Sequence, residues 1–276
     1  MKIEEVLKLR IIDAHTHLSL YENDATSLED TLKLLLADMN KNSVGYAIVI
    51  PDNIENDPRI ADLNKARNLI AGNDRLFLLG SPQILQRGSS ELNKYEKLIK
   101  NKVVKGIKFF PGHDDYYPID ERCNPYYEIC QSLNVPVIFH TGINTKHSEV
   151  ARFNDPKHIV KVAKRYPKLK VIITHYFWPK MKYCYEITKN IPNIYFETAG
   201  MGDSEVITAS GGVGVVKEIL SKTITDREDQ VLFGTDWPMC KIEDHINLIK
   251  SLNLAEKVEA KIFAGNANRV YRLGIL

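Results

Sequence analysis

Two histidines near the start of the chain, His15 and His17, are separated by a single residue. The apolar residues before them predict a β-strand, and residues two apart on a strand point to the same side. Both imidazoles can therefore reach one transition-metal ion, which they would bind through nitrogen. Taken alone, such a pair is a weak signal, because two ordinary polar histidines would look the same.

Further residues able to bind a metal follow other predicted strands. His140 ends one strand, His175 ends the next, and Asp236 ends the last in the run Gly-Thr-Asp-Trp-Pro. Imidazole and carboxylate are ligands of zinc, and iron, manganese and cobalt accept them in related geometries. If these strands end at one edge of a sheet, all of these side chains converge with His15 and His17. The sequence therefore predicts a metal site.

Eight short runs rich in β-branched residues recur along the chain. They predict strands at residues 10–15, 44–51, 75–81, 104–110, 135–140, 170–175, 193–198 and 231–235. Helical patterns lie between them, beginning with residues 27–42, which Ser27 would cap. Asp57, Asn124 and Asp155, each followed by proline, predict three more helix starts. Alternating strands and helices form parallel sheets, and eight repeats in 276 residues fit a single α/β domain, a (β/α)8 TIM barrel, over residues 1–276.

Three long irregular stretches, at residues 112–124, 142–154 and 200–214, each follow a predicted strand. In a barrel of this kind, the loops after the strands form the rim that carries the active site. Long loops in compact domains are also commonly functional. We therefore expect the candidate metal ligands and these loops to lie at the same end of the barrel.

The composition excludes several other classes of function. The net charge is +2, from 37 basic and 35 acidic residues, so a concentrated basic surface for nucleic acid or an anionic membrane is not expected. No apolar run is long enough for a membrane span, and the first ten residues lack the apolar core of a signal peptide. Four cysteines without a CxxC pair predict reduced thiols. We expect a cytoplasmic protein that acts on a small molecule and that can form a homo-oligomer.

The motifs resemble those of the amidohydrolase superfamily, and within it amidohydrolase family 2, which includes aminocarboxymuconate-semialdehyde decarboxylase. The matching segments follow the family's order over nearly the whole chain: residues 12–17, 106–108 with Pro111, 136–142, 174–175, 234–238 and 265–269. The resemblance implies a metal-dependent enzyme on a barrel. It says little about the substrate, because members of this branch hydrolyse, decarboxylate or hydrate quite different compounds.

The resemblance also implies roles for the candidate residues. His15, His17, His140 and Asp236 would bind one catalytic divalent metal per chain, and we expect zinc. His175 would act in catalysis beside the water or the substrate, and Asp236 would also accept a proton from that water. A bound divalent ion can lower the pKa of its water to about 7, which makes such chemistry available at neutral pH.

Lys108, at the end of the fourth predicted strand, has two interpretations. In some superfamily members a lysine at this point is carboxylated and bridges two metals, which would give two ions per chain. In the family-2 branch it would be a free ammonium that acts in catalysis on an anionic substrate or a developing oxyanion. We favour the arrangement with one metal.

The remaining polar residues near these motifs carry weaker predictions. Asp13, below His15 on the same strand, is expected to support the site or to pack. His113, on a rim loop, either contacts the substrate or only forms a turn. His158 and His245 are expected to be structural or solvated, and so is His147.

Several functions stay open at this point. Hydrolysis of an amide, lactone or ester bond by a metal-activated water is the leading hypothesis. Non-oxidative decarboxylation of an aromatic or unsaturated carboxylic acid uses nearly the same ligands. A TatD-type deoxyribonuclease also begins with this histidine pair, but a glutamate would be expected in place of Lys108. A barrel that binds a ligand or metal without turnover is the alternative outside the enzymes.

Overall fold

The computed structural model describes residues 11–143 and 148–275, so His147 and the first ten residues lie outside it. Eight parallel strands follow one another around the sheet in chain order. They are β1 to β8, at Ile11–Thr16, Val44–Val49, Leu76–Gly80, Val104–Phe109, Val137–Phe139, Val171–Ile173, Ile194–Glu197 and Val231–Leu232. Each of them overlaps one of the eight predicted strands.

Hydrogen bonds between β1 and the residues that follow β8 close the sheet. The amide of Ala14 donates to the carbonyl oxygen of Phe233 at 2.9 Å, and the amide of Asp236 donates to the carbonyl oxygen of His15 at 2.9 Å. Helices lie between the strands along the chain. The predicted (β/α)8 TIM barrel is therefore confirmed.

The helices and tight turns account for most of the connections. Helices α1 to α12 are Leu28–Lys41, Leu63–Leu69, Ile84–Arg87, Leu92–Lys100, Asn124–Leu133, Pro156–Arg165, Met181–Thr188, Ser204–Ala209, Val213–Arg227, Ile242–Lys250, Glu256–Ala260 and Asn266–Tyr271. A π-helical turn at Lys261–Gly265 precedes α12, and a short turn at His175–Phe177 follows β6. No helix within the described ranges is both long enough and apolar enough to cross a membrane.

Three of the predicted helix starts are confirmed. Ser27 caps α1, where its hydroxyl accepts a hydrogen bond from the amide of Asp30 at 3.1 Å. Asp155 caps α6 in the same way, with the amide of Lys157 as donor at 2.9 Å. Helix α5 begins at Asn124, although the capping position is one residue earlier, at Cys123, whose side chain makes no capping bond.

The helix start predicted at Asp57 is wrong. Helix α2 begins at Leu63, and Asp62 caps it by accepting hydrogen bonds from the amides of Asn64 and Lys65. Asp57 instead accepts from the amide and the guanidinium of Arg59, at 2.8 and 2.7 Å. An Asp-Pro pair favours a turn as well as a helix start, and here the turn with Arg59 prevails.

Two apolar layers position the site. One set of strand residues packs inside the barrel and includes Ile12, Ile48, Leu79, Ile138, Ile172 and Leu232. The alternate residues pack against the helices and include Val49, Phe109, Phe139, Val171 and Phe196. Helix α12 lies at the N-terminal end of the strands, where the side-chain amide of Asn266 donates to the carbonyl oxygen of Val231 at 2.8 Å. The C-terminal end is thus left for the site.

Candidate metal centre

Three side chains at the C-terminal end of the barrel bring their metal-binding atoms together. Nε2 of His15 lies 3.1 Å from Nε2 of His17 and 3.2 Å from Oδ1 of Asp236. Nε2 of His17 lies 3.4 Å from the same carboxylate oxygen. The two histidines project from the end of β1 to the same side, as their spacing predicts, and Asp236 follows β8 on the other side of the closure.

The other ring nitrogen of each histidine, Nδ1, makes a hydrogen bond, and this bond determines which nitrogen carries the proton. Nδ1 of His17 donates to the carbonyl oxygen of Ile50 at 3.0 Å, and Nδ1 of His15 donates to the buried carboxylate of Glu197. The carbonyl oxygen of Ile50 can only accept, and the carboxylate of Glu197 accepts in its ionised form, so each Nε2 then carries a lone pair. Two lone pairs and a carboxylate oxygen at such short distances repel one another unless a cation lies between them. The donor set therefore fits a divalent metal ion.

The backbone around two site residues adopts the left-handed region. Asp236 has φ of 74°, and the three residues of the turn His175–Phe177 have φ of 58°, 52° and 55°. Such conformations cost non-glycine residues of order 1–3 kcal/mol each. Tertiary hydrogen bonds hold both segments, among them the bond from the amide of Phe177 to the hydroxyl of Thr141 at 2.9 Å. The fold thus holds strained backbone at the positions that aim Asp236 and His175 at the centre.

His140 and His175 lie beside the three-residue cluster. The ring of His175 is 5.2 Å from that of His15 and 5.0 Å from that of His140, which also packs on the ring of His113 at 4.3 Å. Nδ1 of His175 donates to the carbonyl oxygen of Ala199 at 3.0 Å, so its Nε2 is a free acceptor. His140 is not part of the group of ligand atoms that lie within 4.8 Å of one another among the described residues. His15, His17, His140 and His175 nevertheless lie together.

Burial keeps these imidazoles neutral, whereas the neighbouring histidines keep the aspartate charged. It lowers the pKa of His175 to about 4 and lowers that of His15 and His140 well below the ordinary value. Burial opposes the charge of Asp236, but the neighbouring histidines hold its pKa well below the usual range. Neutral imidazoles and an ionised carboxylate are the forms that bind metals.

Lys108 lies inside the barrel, at the end of β4, with only 1% of its surface exposed. Its Nζ has no hydrogen-bond partner in the described part of the chain and lies 5.2 Å from the ring centre of Phe110. Burial lowers its pKa to about 8, while the carboxylates of Glu197, Asp236 and Asp52 act in the opposite direction. The lysine therefore does not reach outward to solvent, and its ammonium is held among carboxylates.

Glu197, the last residue of β7, belongs to this site although the motifs do not point to it. Its side chain is fully buried, and burial raises its pKa well above the ordinary value. One signal in the sequence could have found it. The seventh predicted strand carries a carboxylate near its end, as the strands before His140, His175 and Asp236 are followed by metal-binding residues.

Other predicted polar residues have structural contacts. Asp13 is fully buried below the cluster and accepts hydrogen bonds from the amides of His15 and Thr235, at 3.1 and 3.0 Å, and from the hydroxyl of Thr235 at 2.6 Å. It thereby ties β1 to the segment after β8. His245 is buried in α10, where it accepts from the amide of Gly202 at 3.1 Å, in agreement with a structural role.

Two cavities, of about 540 and 460 Å³, meet at the candidate metal centre. His113, His140, His175 and Asp236 line both of them. The smaller cavity also contains Lys108 and has an apolar wall that includes Leu18, Ile50, Ile60, Ala61 and Phe110. The larger cavity runs along the loop after β7, past Asp203 and Glu205. A small molecule with an apolar portion can therefore lie directly against the site.

Comparison with known families identifies this arrangement. A family model described as amidohydrolase matches residues 12–273. The chain belongs to the amidohydrolase family. The match spans all eight strands and confirms the resemblance seen in the motifs. Members of this family are divalent-metal-dependent enzymes and include hydrolases and decarboxylases, so the chain is an enzyme of this class. The sequence gives no match among curated proteins.

Solved structures share the fold at low sequence identity. An uncharacterised TIM-barrel protein from Bordetella bronchiseptica is 21% identical, with 95% of this chain and 98% of that chain covered and a TM-score of 0.76. A probable 2-pyrone-4,6-dicarboxylic acid hydrolase from Acinetobacter baumannii, with citric acid bound, is 13% identical, with 95% and 99% covered and a TM-score of 0.67. A dihydroxybenzoic acid decarboxylase from Polaromonas sp. JS666, with bound manganese and 2-nitroresorcinol, is 16% identical, with 96% and 97% covered and a TM-score of 0.65.

Proposed function

We propose that this amidohydrolase hydrolyses an amide, lactone or ester bond of a small anionic molecule and uses one divalent ion per chain, zinc in our expectation. The observation that carries the proposal is the convergence of two Nε2 lone pairs and a carboxylate oxygen beside the neutral imidazole of His175. Such a set both binds a metal and leaves a base next to it.

The proposed metal ligands are His15, His17, Asp236 and His140. The first three follow from the short distances between their ligand atoms. His140 is proposed as the fourth because it extends from the same rim and its ring packs against that of His175. A divalent ion bound there supplies positive charge that lowers the pKa of a water molecule to about 7.

His175 and Asp236 are the proposed proton acceptors. The Nε2 of His175 is free because Nδ1 donates to Ala199, and the ring is neutral near pH 7. The second carboxylate oxygen of Asp236 lies 3.9 Å from Nδ1 of His175, so the two side chains are neighbours in the cavity. They would take a proton from the attacking water and return it to the leaving group.

Lys108 is the proposed binding group for negative charge. Its buried ammonium lies in the smaller cavity, where a substrate carboxylate or a developing oxyanion would complete its missing hydrogen bonds. The single group of close ligand atoms among the described residues supports one metal ion rather than two. A carboxylated Lys108 that bridges two ions is the alternative.

An activity screen tests the proposed reaction. Purified protein loaded with Zn²⁺ or Mn²⁺ is incubated with lactones, esters and amides of small aromatic and dicarboxylic acids, and the acid formed is measured by liquid chromatography. Hydrolysis forms a new carboxylic acid and releases no carbon dioxide. Turnover that yields carbon dioxide and no new acid would contradict the proposal.

Decarboxylation is the second candidate, because the apolar wall of the smaller cavity, with Ile50 and Phe110, lies next to Lys108. An aromatic acid could place its ring on that wall, and neutral carbon dioxide would leave an apolar environment easily. Solved relatives include 2,6-dihydroxybenzoate and 5-carboxyvanillate decarboxylases. Carboxyl-labelled versions of these two acids, with detection of labelled carbon dioxide, test this candidate directly.

We place the enzyme in the cytoplasm, which is supported by four cysteines that are all buried and free. We expect residues 1–276 to act as one domain. A homo-oligomer is compatible with the sequence, and sedimentation of the purified protein measures it.

A further inference from the structure

His15 and Glu197 come from β1 and β7, the two strands on either side of β8. In barrels of this kind, side chains from alternate strands share a layer of the interior. Gly234, which follows β8, lies between them: a Cβ there would be 3.1 Å from Cβ of His15 and 3.7 Å from Cβ of Glu197. A side chain at Gly234 would therefore press against His15, and the glycine leaves room for β1 at this point.

The contact between them is closed to water. The exposed fractions of the two side chains are 1% and 0%, and the Glu197 Oε1 accepts the hydrogen bond from Nδ1 of His15. Burying a carboxylate is costly unless it is hydrogen-bonded and paired, and a hydrogen bond to an ionised acceptor is strong in such surroundings. The buried carboxylate of Glu197 is therefore stabilised by its contact with His15 and not by water.

We propose that Glu197 is the positioning residue of the metal centre. It keeps the proton of His15 on Nδ1 and directs Nε2 toward Nε2 of His17 and Oδ1 of Asp236. A carboxylate on the far nitrogen also makes the imidazole a stronger metal ligand than the backbone carbonyl that holds His17 would. The inference rests on the proposed function, because it takes these atoms as the metal ligands.

The second carboxylate oxygen of Glu197 and the ammonium of Lys108 share one property. Oε2 of Glu197 is buried without a hydrogen-bond partner among the described residues, and the same is true of Nζ of Lys108. Each of the two charges is the leading opposite charge acting on the other. Glu197 thus contacts the imidazole that would hold the metal, and its charge favours the ammonium of Lys108, which would bind an anionic substrate.

Two substitutions of Glu197 separate the effect of side-chain length from the effect of charge. Glu197→Gln keeps the length of the side chain and an oxygen that accepts from Nδ1, but it removes the charge. Glu197→Asp keeps the charge, but it is one methylene shorter and cannot reach the ring. The measurement is the dissociation constant of the metal-free full chain for Zn²⁺ and Co²⁺, by competition with a chelator. The absorption spectrum of the Co²⁺ form reports the ligand geometry.

We expect Glu197→Asp to weaken metal binding by about 10- to 100-fold and to change the Co²⁺ spectrum, as loss of a partner to a ligating histidine does. Glu197→Gln should lose less affinity and keep the spectrum of the parent protein. Glu205→Asp, the same shortening in the wall of the larger cavity, is the matched control and should leave the affinity unchanged. Parent-like binding by Glu197→Asp, or a larger loss in Glu197→Gln, would overturn the positioning role.

A measurement on the parent chain is independent of whether the variants fold. Spectra of the metal-free protein with ¹⁵N-labelled histidine should show His15 with its proton on Nδ1, and a proton on Nε2 would overturn the inference. A parent protein that binds neither ion would overturn the proposed function together with this inference. If the parent binds metal and Glu197→Asp binds it with the same affinity, the positioning role of Glu197 is overturned and the proposed function is not.

Discussion

Two buried carboxylates contact His15 from different sides, and the protein satisfies only one of them fully. Asp13 accepts three hydrogen bonds, one from the His15 amide and two from Thr235. Glu197 accepts one from the His15 ring, and its other oxygen has no partner among the described residues. Asp13 therefore holds backbone together, while Glu197 holds a side chain that has a free lone pair.

This difference assigns a structural role to Asp13 and a role in ligand binding to Glu197. A carboxylate with three internal donors needs no ligand, whereas a buried polar atom without a partner is costly to leave in that state. The unpaired oxygen of Glu197 and the unpaired ammonium of Lys108 both lie at the candidate metal centre. Substitutions at Asp13 should act on folding, and substitutions around the unpaired atoms should act on ligands.

The largest effect is expected from removing two ligands at once. His15→Ala combined with His17→Ala should abolish binding of a divalent metal, because a site left with two protein ligands holds zinc poorly. Metal analysis of the purified variant, beside a parent protein with about one equivalent per chain, measures this. A variant that keeps its metal would show that the ligands are wrongly assigned.

Replacement of His175 should separate metal binding from turnover. His175→Asn should keep the metal and lower kcat by about 100-fold or more, as the loss of a group that transfers protons does. Metal content and kcat on a substrate from the screen are measured on the same preparation. Loss of the metal together with the activity would make His175 a ligand instead.

Lys108→Met should keep the metal and chiefly raise KM for an anionic substrate, because the variant has no ammonium to pair with the carboxylate of the substrate. A neutral analogue of the same substrate is the control and should be much less affected. If Lys108 is carboxylated, supplied bicarbonate should bring the metal content toward two ions per chain. Both Lys108→Met and His175→Asn would then lose about one equivalent, which would contradict the site with a single metal.

Much of the fold could be predicted because each element has a local signal. The eight strands are short runs rich in β-branched and other apolar residues, and Ser27 and Asp155 cap their helices through contacts a few residues away. The error at Asp57 has a physical reason, since a following proline suits a turn and a helix start equally. Which of these forms depends on the ion pair with Arg59, which the local pattern does not specify.

The site was predictable where it depends on strand ends and not where it depends on pairing across the barrel. His15, His17, His140, His175 and Asp236 lie together as expected because parallel strands end at one rim. Glu197 was not predicted, because its role depends on a contact with His15 across β8, at a separation of 182 residues. Only the closed barrel, with Gly234 in between, brings that pair together.

Substitutions of Asp13, unlike those of Glu197, should change the stability of the fold and leave metal binding intact. Asp13→Ala should lower the free energy of unfolding of the metal-free protein by about 2–3 kcal/mol, because three buried donors lose their acceptor. Asp13→Asn should cost less, since its oxygen can still accept from both amides and its amide group can donate to the Thr235 hydroxyl. Urea unfolding measures both changes. Loss of metal binding by the folded Asp13→Asn protein would contradict the separation of roles.

The smallest expected effects are two pH dependences of opposite sign in the metal-free protein. Burial raises the pKa of Asp13 from 3.8 to about 7, so between these values the folded chain keeps a proton that the unfolded chain has released. Raising the pH through this interval therefore favours unfolding. Burial lowers the pKa of His175 from 6.5 to about 4, so the unfolded chain takes up a proton first as the pH falls. Its contribution to stability is present above pH 6.5 and is lost toward pH 4.

The parent curve contains both effects together with those of His15 and His140, so differences from the parent are the quantities to compare. Relative to the parent, Asp13→Asn should gain stability as the pH rises from about 4 to about 7, and His175→Asn should lose it. One pKa unit corresponds to about 1.4 kcal/mol, and neighbouring charges share each effect, so differences of at least about 1 kcal/mol are expected from urea unfolding across this range. Differences of the same sign in both variants would mean that the three hydrogen bonds keep Asp13 ionised. The contrast with Glu197 would then depend on hydrogen bonding alone, not on charge.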